Sequence, residues 1–117
     1  MGKPKFSIVT VCYNAGDKLY ETINTALKQT YDNFEIIIKD GLSKDDSLSK
    51  VTKDDRISVY SCKDKGIYDA MNQAVEKITG DYVYFLNCGD SFYVKFNSFY
   101  IVILYYKILI LVNIYVL

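Results

Sequence analysis

No histidine occurs in the 117 residues. That absence removes His-based triads, His metal ligands and imidazole proton shuttles, so acid–base chemistry must run through carboxylates. Net charge is missing as well: Lys+Arg and Asp+Glu number 14 each. No overall field draws nucleic acid or an acidic membrane surface. Cysteine is scarce, with Cys12, Cys62 and Cys88 forming no Cys-x-x-Cys pair. Their odd number, without a signal-peptide pattern, predicts reduced thiols in the cytoplasm, each a small buried side chain. The chain has the length of one domain and no room for a second.

What is present is an alternation of strand and helix patterns. Phe6 to Cys12 (FSIVTVC) reads as a strand, and Tyr13-Asn14-Ala15-Gly16 supplies the turn chemistry that ends it. Leu19, Ile23, Ala26 and Leu27 recur at helical spacing, with Asp17 placed to cap the first turn. Phe34 to Lys39 (FEIIIK) is a second strand, ending on Asp40-Gly41-Leu42-Ser43. Ser43 with Asp46 resembles a capping box opening a shorter helix through about Val51.

Ile57 to Ser61 reads as a third strand, followed by Lys63-Asp64-Lys65-Gly66. Then comes the best helix pattern in the chain, with Ile67, Ala70, Met71, Ala74, Val75 and Ile78 on one face and Gly80 in the stop position. Tyr82 to Leu86 is the fourth strand. Such alternation with short connections predicts an α/β fold, a mostly parallel sheet with flanking helices.

Parallel sheets of this kind bind ligands outside the carboxyl ends of their strands. The polar strand ends therefore gain weight as a set: Tyr13-Asn14, Asp40-Gly41, Asp64-Lys65-Gly66 and Asn87-Cys88-Gly89-Asp90. Taken singly, each is an ordinary turn sequence. Together they converge on one edge of the predicted sheet. Asn87 and Asp90 offer oxygen ligands for a hard divalent cation, and Mg²⁺ typically takes only one or two protein carboxylates. Tyr13 reads equally as a stacking face for a planar base and as a cover for the sheet edge.

These residues resemble the family 2 glycosyltransferases, enzymes of the GT-A fold that move a sugar from a nucleotide diphosphate donor to an acceptor hydroxyl. The matching text is FSIVTVCYNAGDKLYETINTALKQTYDNFEIIIKDGLSKDDS and then DKGIYDAMNQAVEKITGDYVYFLNCGD, roughly the first 93 residues. It looks most like members that build bacterial surface polysaccharides. The resemblance implies a Rossmann-like nucleotide-binding half over residues 1–93. It implies further that Tyr13 packs against the nucleobase with Asn14 beside it, that Asp40 hydrogen-bonds the base, and that Asp64 and Lys65 are candidates for ribose and diphosphate contacts. By the same resemblance Asn87 and Asp90 would form the donor-sugar and metal tip, with Asp90 holding Mg²⁺ or Mn²⁺.

The implied partners are a nucleotide-diphosphate sugar, a UDP-sugar first among them, and a glycan or lipid-linked acceptor, with no nucleic acid. Two departures stand out. Many relatives carry more acids at the tip, and many have Ala-Arg-Asn where this chain has Ala70-Met71-Asn72. The family's second half, which normally supplies the acceptor site and the general base, has no counterpart in this sequence, so no catalytic base is assigned. A truncated chain, inactive alone, is one expectation.

In place of that half stands FYIVILYYKILILVNIYVL, Phe99 to Leu117, within a divergent segment over residues 94–117. At about 1.5 Å per residue it would just span a bilayer core, interrupted by Lys107, whose central burial costs roughly 2.5–3.5 kcal/mol. Three readings stand side by side: a frameshifted or truncated product, a membrane anchor, and a buried or oligomer-forming strand pair. The expected location is cytoplasmic, either free or held at the inner face of the cell membrane. A rival reading of the whole chain is a non-catalytic membrane-associated or nucleotide-binding fragment whose strand ends are only turns. Another doubly wound nucleotide-binding fold is disfavoured by the lack of a Gly-x-Gly-x-x-Gly or phosphate-loop sequence after the first strand.

Overall fold

The structure, a computed structural model, describes residues 4–89. The strands are β1 (Phe6–Cys12), β2 (Phe34–Asp40), β3 (Ile57–Ser61) and β4 (Tyr82–Phe85), and the helices are α1 (Asp17–Leu27) and α2 (Ile67–Val75). All neighbouring strands pair in parallel in the order β3-β2-β1-β4. The chain thus steps outward from β1 to β3, then crosses back through α2 to place β4 on the other side of β1. That reversal is the topological switch point of a doubly wound sheet, the place where such folds open a crevice.

β1 and β2 are central strands, and their continuous apolar runs follow from burial on both faces. One face carries Phe6, Ile8, Cys12, Ile36 and Ile38 against Leu19, Ile23 and Ala26 of α1. The other carries Val9, Val11, Ile37 and Val83 against Ala70, Met71 and Ala74 of α2. Each large side chain so buried contributes about 1.5–3 kcal/mol. The two helices therefore flank the sheet on opposite sides. Register aligns Cys12 with Asp40 and Asp40 with Ser61, bringing three strand ends to one level.

Several local expectations are corrected. The helix from Ser43 to Val51 is only a 3-10 turn, Leu48–Lys50. Ser43 does not cap it, because its hydroxyl donates to Asp40 Oδ1 and accepts from the Asn14 amide at 2.8 Å. Asp17 is no cap either. Gly16 holds the cap position of α1 without a side-chain bond, and Asp17 Oδ1 accepts from Lys50 Nζ at 2.7 Å. Asp45, singled out for nothing in the sequence, organises this corner: Oδ2 accepts from the Gly16 amide at 3.0 Å, and Oδ1 from the Ser47 amide and hydroxyl at 3.1 and 2.6 Å.

α2 ends at Val75, well before Gly80. That glycine lies against β1 instead: a Cβ there would stand 2.6 Å from Ser7 Oγ and 2.8 Å from Lys5 O. Its conservation of space, not a helix stop, explains the residue. Ile67 begins α2 but is exposed. Of the three free thiols Cys12 is buried, Cys88 half-buried and Cys62 exposed, so the expectation of three buried thiols fails at Cys62. No helix among the described residues is long and apolar enough to cross a membrane. The tail over residues 94–117, with its anchor reading, lies outside the described residues.

Candidate functional site

At the carboxyl ends of the strands a cavity of about 300 Å³ opens between β1 and the start of α2. Its lining includes Val11, Cys12, Tyr13, Asp64, Ile67 and Ala70. The ring of Tyr13 is 59% exposed, so the strand end presents an aromatic face to solvent. Apolar floor, aromatic rim and one carboxylate make a site that suits a planar, partly polar ligand.

Asp64 is the carboxylate on the wall. Its Oδ2 accepts from Lys39 Nζ at 2.9 Å and its Oδ1 from the Gly66 amide at 3.1 Å. Burial works to raise its pKa, but the Lys39 hydrogen bond, the Gly66 amide and the Lys39 charge outweigh it and hold the carboxyl below the usual range. Gly41 completes the seat, since a Cβ there would come within 2.9 Å of Asp64 Oδ2 and 3.6 Å of the Tyr13 ring. A side chain at this position would push the carboxylate off the wall.

Asp40 is placed differently. It is only 1% exposed, and it does not line the cavity. Ser43 donates its hydroxyl to Oδ1 and its amide to Oδ2, the latter at 3.0 Å. The Cys12 thiol donates to Oδ1 at 3.7 Å. Asp40 thus builds the loop that supports Asn14. Asn14, in the left-handed region at φ 49°, receives no freedom from a missing Cβ; its side-chain Oδ1 accepts from the Lys44 amide at 2.8 Å and locks the two loops together. Burial and the neighbouring Cys88 and Asp40 push the Cys12 thiol upward, with the Cys88 hydrogen bond as the largest cause. Cys12 is a neutral thiol here.

Lys65 is exposed at the approach to α2, and its amide donates to Asp69 Oδ2 at 2.8 Å. On the far side, alternation along β4 and its extension puts Val83 and Phe85 on the α2 face and Leu86 and Cys88 on the α1 face. Asn87 falls between the latter two, past the end of β4. Its Oδ1 is buried and has no hydrogen-bond partner among the described residues. A buried orphan oxygen calls for a partner, and a hard cation or a ligand hydroxyl fits that chemistry. Among the described residues no group of three or more His, Cys, Asp or Glu side chains stands together as a metal site. Asp90 lies outside the described residues.

Of the residues expected around the nucleotide, the structure brings Tyr13 and Asp64 to one cavity, while Asn14 and Asp40 stand in the loop beside it. Sequence reasoning missed Lys39 and Ser43. Lys39 carried a usable signal: a lysine closing the FEIIIK run of a strand expected to be buried on both faces must find acceptors inside. Met71, at the place of the relatives' arginine, is 1% exposed and packs into the α2 face of the core. It is a packing residue.

These features define a doubly wound α/β domain with a cavity at the carboxyl ends of its strands. The sequence model of the family described as glycosyl transferase family 2 matches residues 7–94. The chain belongs to that family. A PGL/p-HBAD biosynthesis glycosyltransferase of Mycobacterium bovis is 33% identical over 98 residues, covering 80% of this chain and 38% of its own length. The UDP-Glc:alpha-D-GlcNAc-diphosphoundecaprenol beta-1,3-glucosyltransferase WfaP of Escherichia coli is 38% identical over 87 residues, covering 72% and 35%. The mannosyltransferase PcManGT of Pyrobaculum calidifontis, solved with GDP-Man and Mn²⁺, superposes with a TM-score of 0.74 at 20% identity, covering 80% of this chain and 30% of its own. That likeness shows the GT-A fold. The chain therefore spans well under half the length of the relatives it matches.

Proposed function

We propose that this chain forms the donor-nucleotide half of a glycosyltransferase acting in bacterial surface polysaccharide biosynthesis, transferring a sugar from a nucleotide diphosphate sugar to an acceptor hydroxyl. The observation that carries the reading is the cavity at the strand ends, where the exposed Tyr13 ring faces an ionised, anchored Asp64. An aromatic face stacks on a nucleobase, a contact worth roughly 1–3 kcal/mol per base in single-stranded nucleic-acid sites. Asp64 accepts a hydrogen bond from the nucleoside, and exposed Lys65 meets the diphosphate. Asn14 and Asp40 act on the nucleotide through the loop they hold together.

A divalent cation, Mg²⁺ or Mn²⁺, fits the tip after β4. Asn87 offers an oxygen with no partner among the described residues, and Asp90 supplies the carboxylate in this reading. When bound, such an ion offsets the negative charge that develops on the departing nucleoside diphosphate. The chain's own residues orient the donor: Tyr13 and Asp64 fix the nucleoside, and Asn87 and Asp90 fix the diphosphate end. No described residue takes the part of general base. Asp69 is occupied by the Lys65 amide and Gln73, and Asp81 accepts from the Lys5 amide at 2.9 Å.

The name of the Escherichia coli relative specifies UDP-Glc and a diphosphoundecaprenol-linked acceptor, which supports a UDP-sugar donor and a lipid-linked acceptor here. A lipid-linked acceptor in turn favours work at the inner face of the cell membrane. The test is nucleotide binding by Asn87→Ala and Asp90→Ala variants. UDP binding by the unaltered chain strengthens with Mn²⁺, and Asp90→Ala removes that strengthening. Unchanged Mn²⁺ assistance in both variants overturns the metal assignment.

A further inference from the structure

Lys39 is 1% exposed, and it does not itself line the cavity. Its Nζ donates three hydrogen bonds: to Asp40 O at 3.0 Å, to Cys62 O at 2.7 Å and to Asp64 Oδ2 at 2.9 Å. All three ammonium protons are thereby used. The first two acceptors are main-chain carbonyls at the ends of β2 and β3, so the amine is fixed by the sheet before it meets the carboxylate. The third contact leaves the sheet and reaches the cavity wall. Asp64 is held from below by Lys39, from the side by the Gly66 amide, and is allowed its place by the lack of a side chain at Gly41.

We infer that Lys39 is a positioning residue for nucleotide selection: it fixes Asp64 as an ionised, acceptor-only carboxylate on the cavity wall, so that the site selects a nucleoside presenting a hydrogen-bond donor there. The inference rests on the nucleotide-binding reading given above. A carboxylate with one lone pair on each oxygen already engaged still has acceptor capacity directed elsewhere, and no donor of its own. A neutral acid or a swung-away side chain would lose that discrimination. The donor on the ligand is either the imide N–H of the base or a ribose hydroxyl, and the two are separable.

The experiment is calorimetric titration of UDP, CDP and 2′-deoxy-UDP, all with Mn²⁺, into the full chain and into Lys39→Met, Asp64→Asn, Gly41→Ala and the Lys39→Met/Asp64→Asn double variant. CDP lacks the imide N–H, and 2′-deoxy-UDP lacks one ribose hydroxyl. The unaltered chain is expected to prefer UDP over one of the two analogues by ten-fold or more. The analogue disfavoured identifies the donor. Lys39→Met and Gly41→Ala then lower UDP affinity about ten-fold and narrow that same preference, and the double variant loses no more than Asp64→Asn alone.

Gly41→Ala guards against a folding artefact, since it displaces Asp64 while leaving Lys39 and its carbonyl partners in place. If folded Lys39→Met and Gly41→Ala variants keep the full preference, or weaken all three nucleotides equally, the positioning role is overturned while nucleotide binding stands. If the unaltered chain binds none of the three, the nucleotide reading itself fails and the role of Lys39 in selection falls with it.

Discussion

Gly80 and Ser43 show how single residues set this architecture. The backbone of Gly80 runs so close to β1 that its amide donates to Ser7 Oγ at 2.9 Å. An added methyl would meet two backbone atoms and one hydroxyl below 3.0 Å. Overpacking of this kind costs about 1–3 kcal/mol, and main-chain neighbours cannot swing aside. Gly80→Ala should therefore lower the urea midpoint with little change in slope; an unaltered midpoint would show that the β4 approach relaxes freely. Ser43→Ala leaves the buried Asp40 carboxylate with only the Ser43 amide and the weak Cys12 thiol. A buried acceptor deprived of its partner costs about 1–3 kcal/mol, and Ser43→Thr, which restores a hydroxyl, should recover most of the loss in a denaturation series. Equal stability of the Ala and Thr variants would deny the hydroxyl that role.

At the scale of elements, β2 is the pillar, tied at both ends. Its carboxyl end carries Lys39 and Asp40. Near its amino end Glu35 Oε1 accepts from Ser7 Oγ and from the Thr79 amide, each at 2.6 Å, joining β1, β2 and the connection between α2 and β4. Burial acts to raise the Glu35 pKa, but the Ser7 and Thr79 hydrogen bonds and the Lys5 charge prevail and lower it. Between β2 and β3, Asp54 is lowered to about 2, chiefly by its hydrogen bonds from Arg56.

Groups with depressed folded pKa values stabilise the fold above their unfolded values, roughly 4 for carboxylates, and that stabilisation is lost as pH falls through the folded values. The thermal midpoint should thus be flat from pH 7 to about 5 and then drop progressively. Glu35→Gln should make the drop shallower. A midpoint insensitive to pH down to 3, or the same slope in Glu35→Gln, would remove these carboxylates from the account.

The elements themselves were legible because their periods are: a buried parallel strand reads as a continuous apolar run, and α1 and α2 as 3.6-residue stripes. What escaped was polar chemistry between loops. Ser43 and Asp46 match a local capping pattern, but Asp40 and Asn14 claim Ser43 from other elements, and tertiary partners outcompete a local cap. The hold of Ser43 on Asp40 was hidden for the same reason. Nothing local in the chain indicates that Ser43 covers it, whereas Asp64 and Tyr13 could be placed because strand ends on one sheet edge must meet.

At the scale of the molecule, the site gathers the ends of β1 and β2 and the segment after β3, separated by long stretches of chain and brought level by register, with the start of α2 closing the cavity. On the proposed function, this half alone binds a donor nucleotide together with a metal ion. Calorimetric titration of UDP, then GDP, into the purified chain with and without Mn²⁺ tests it most directly. Saturable binding is expected, strengthened by Mn²⁺, weakened by Tyr13→Ala, and accompanied by heat at one site per chain. A folded chain that binds neither nucleotide with or without the ion would contradict it, leaving a GT-A sheet whose strand ends are turns and nothing more.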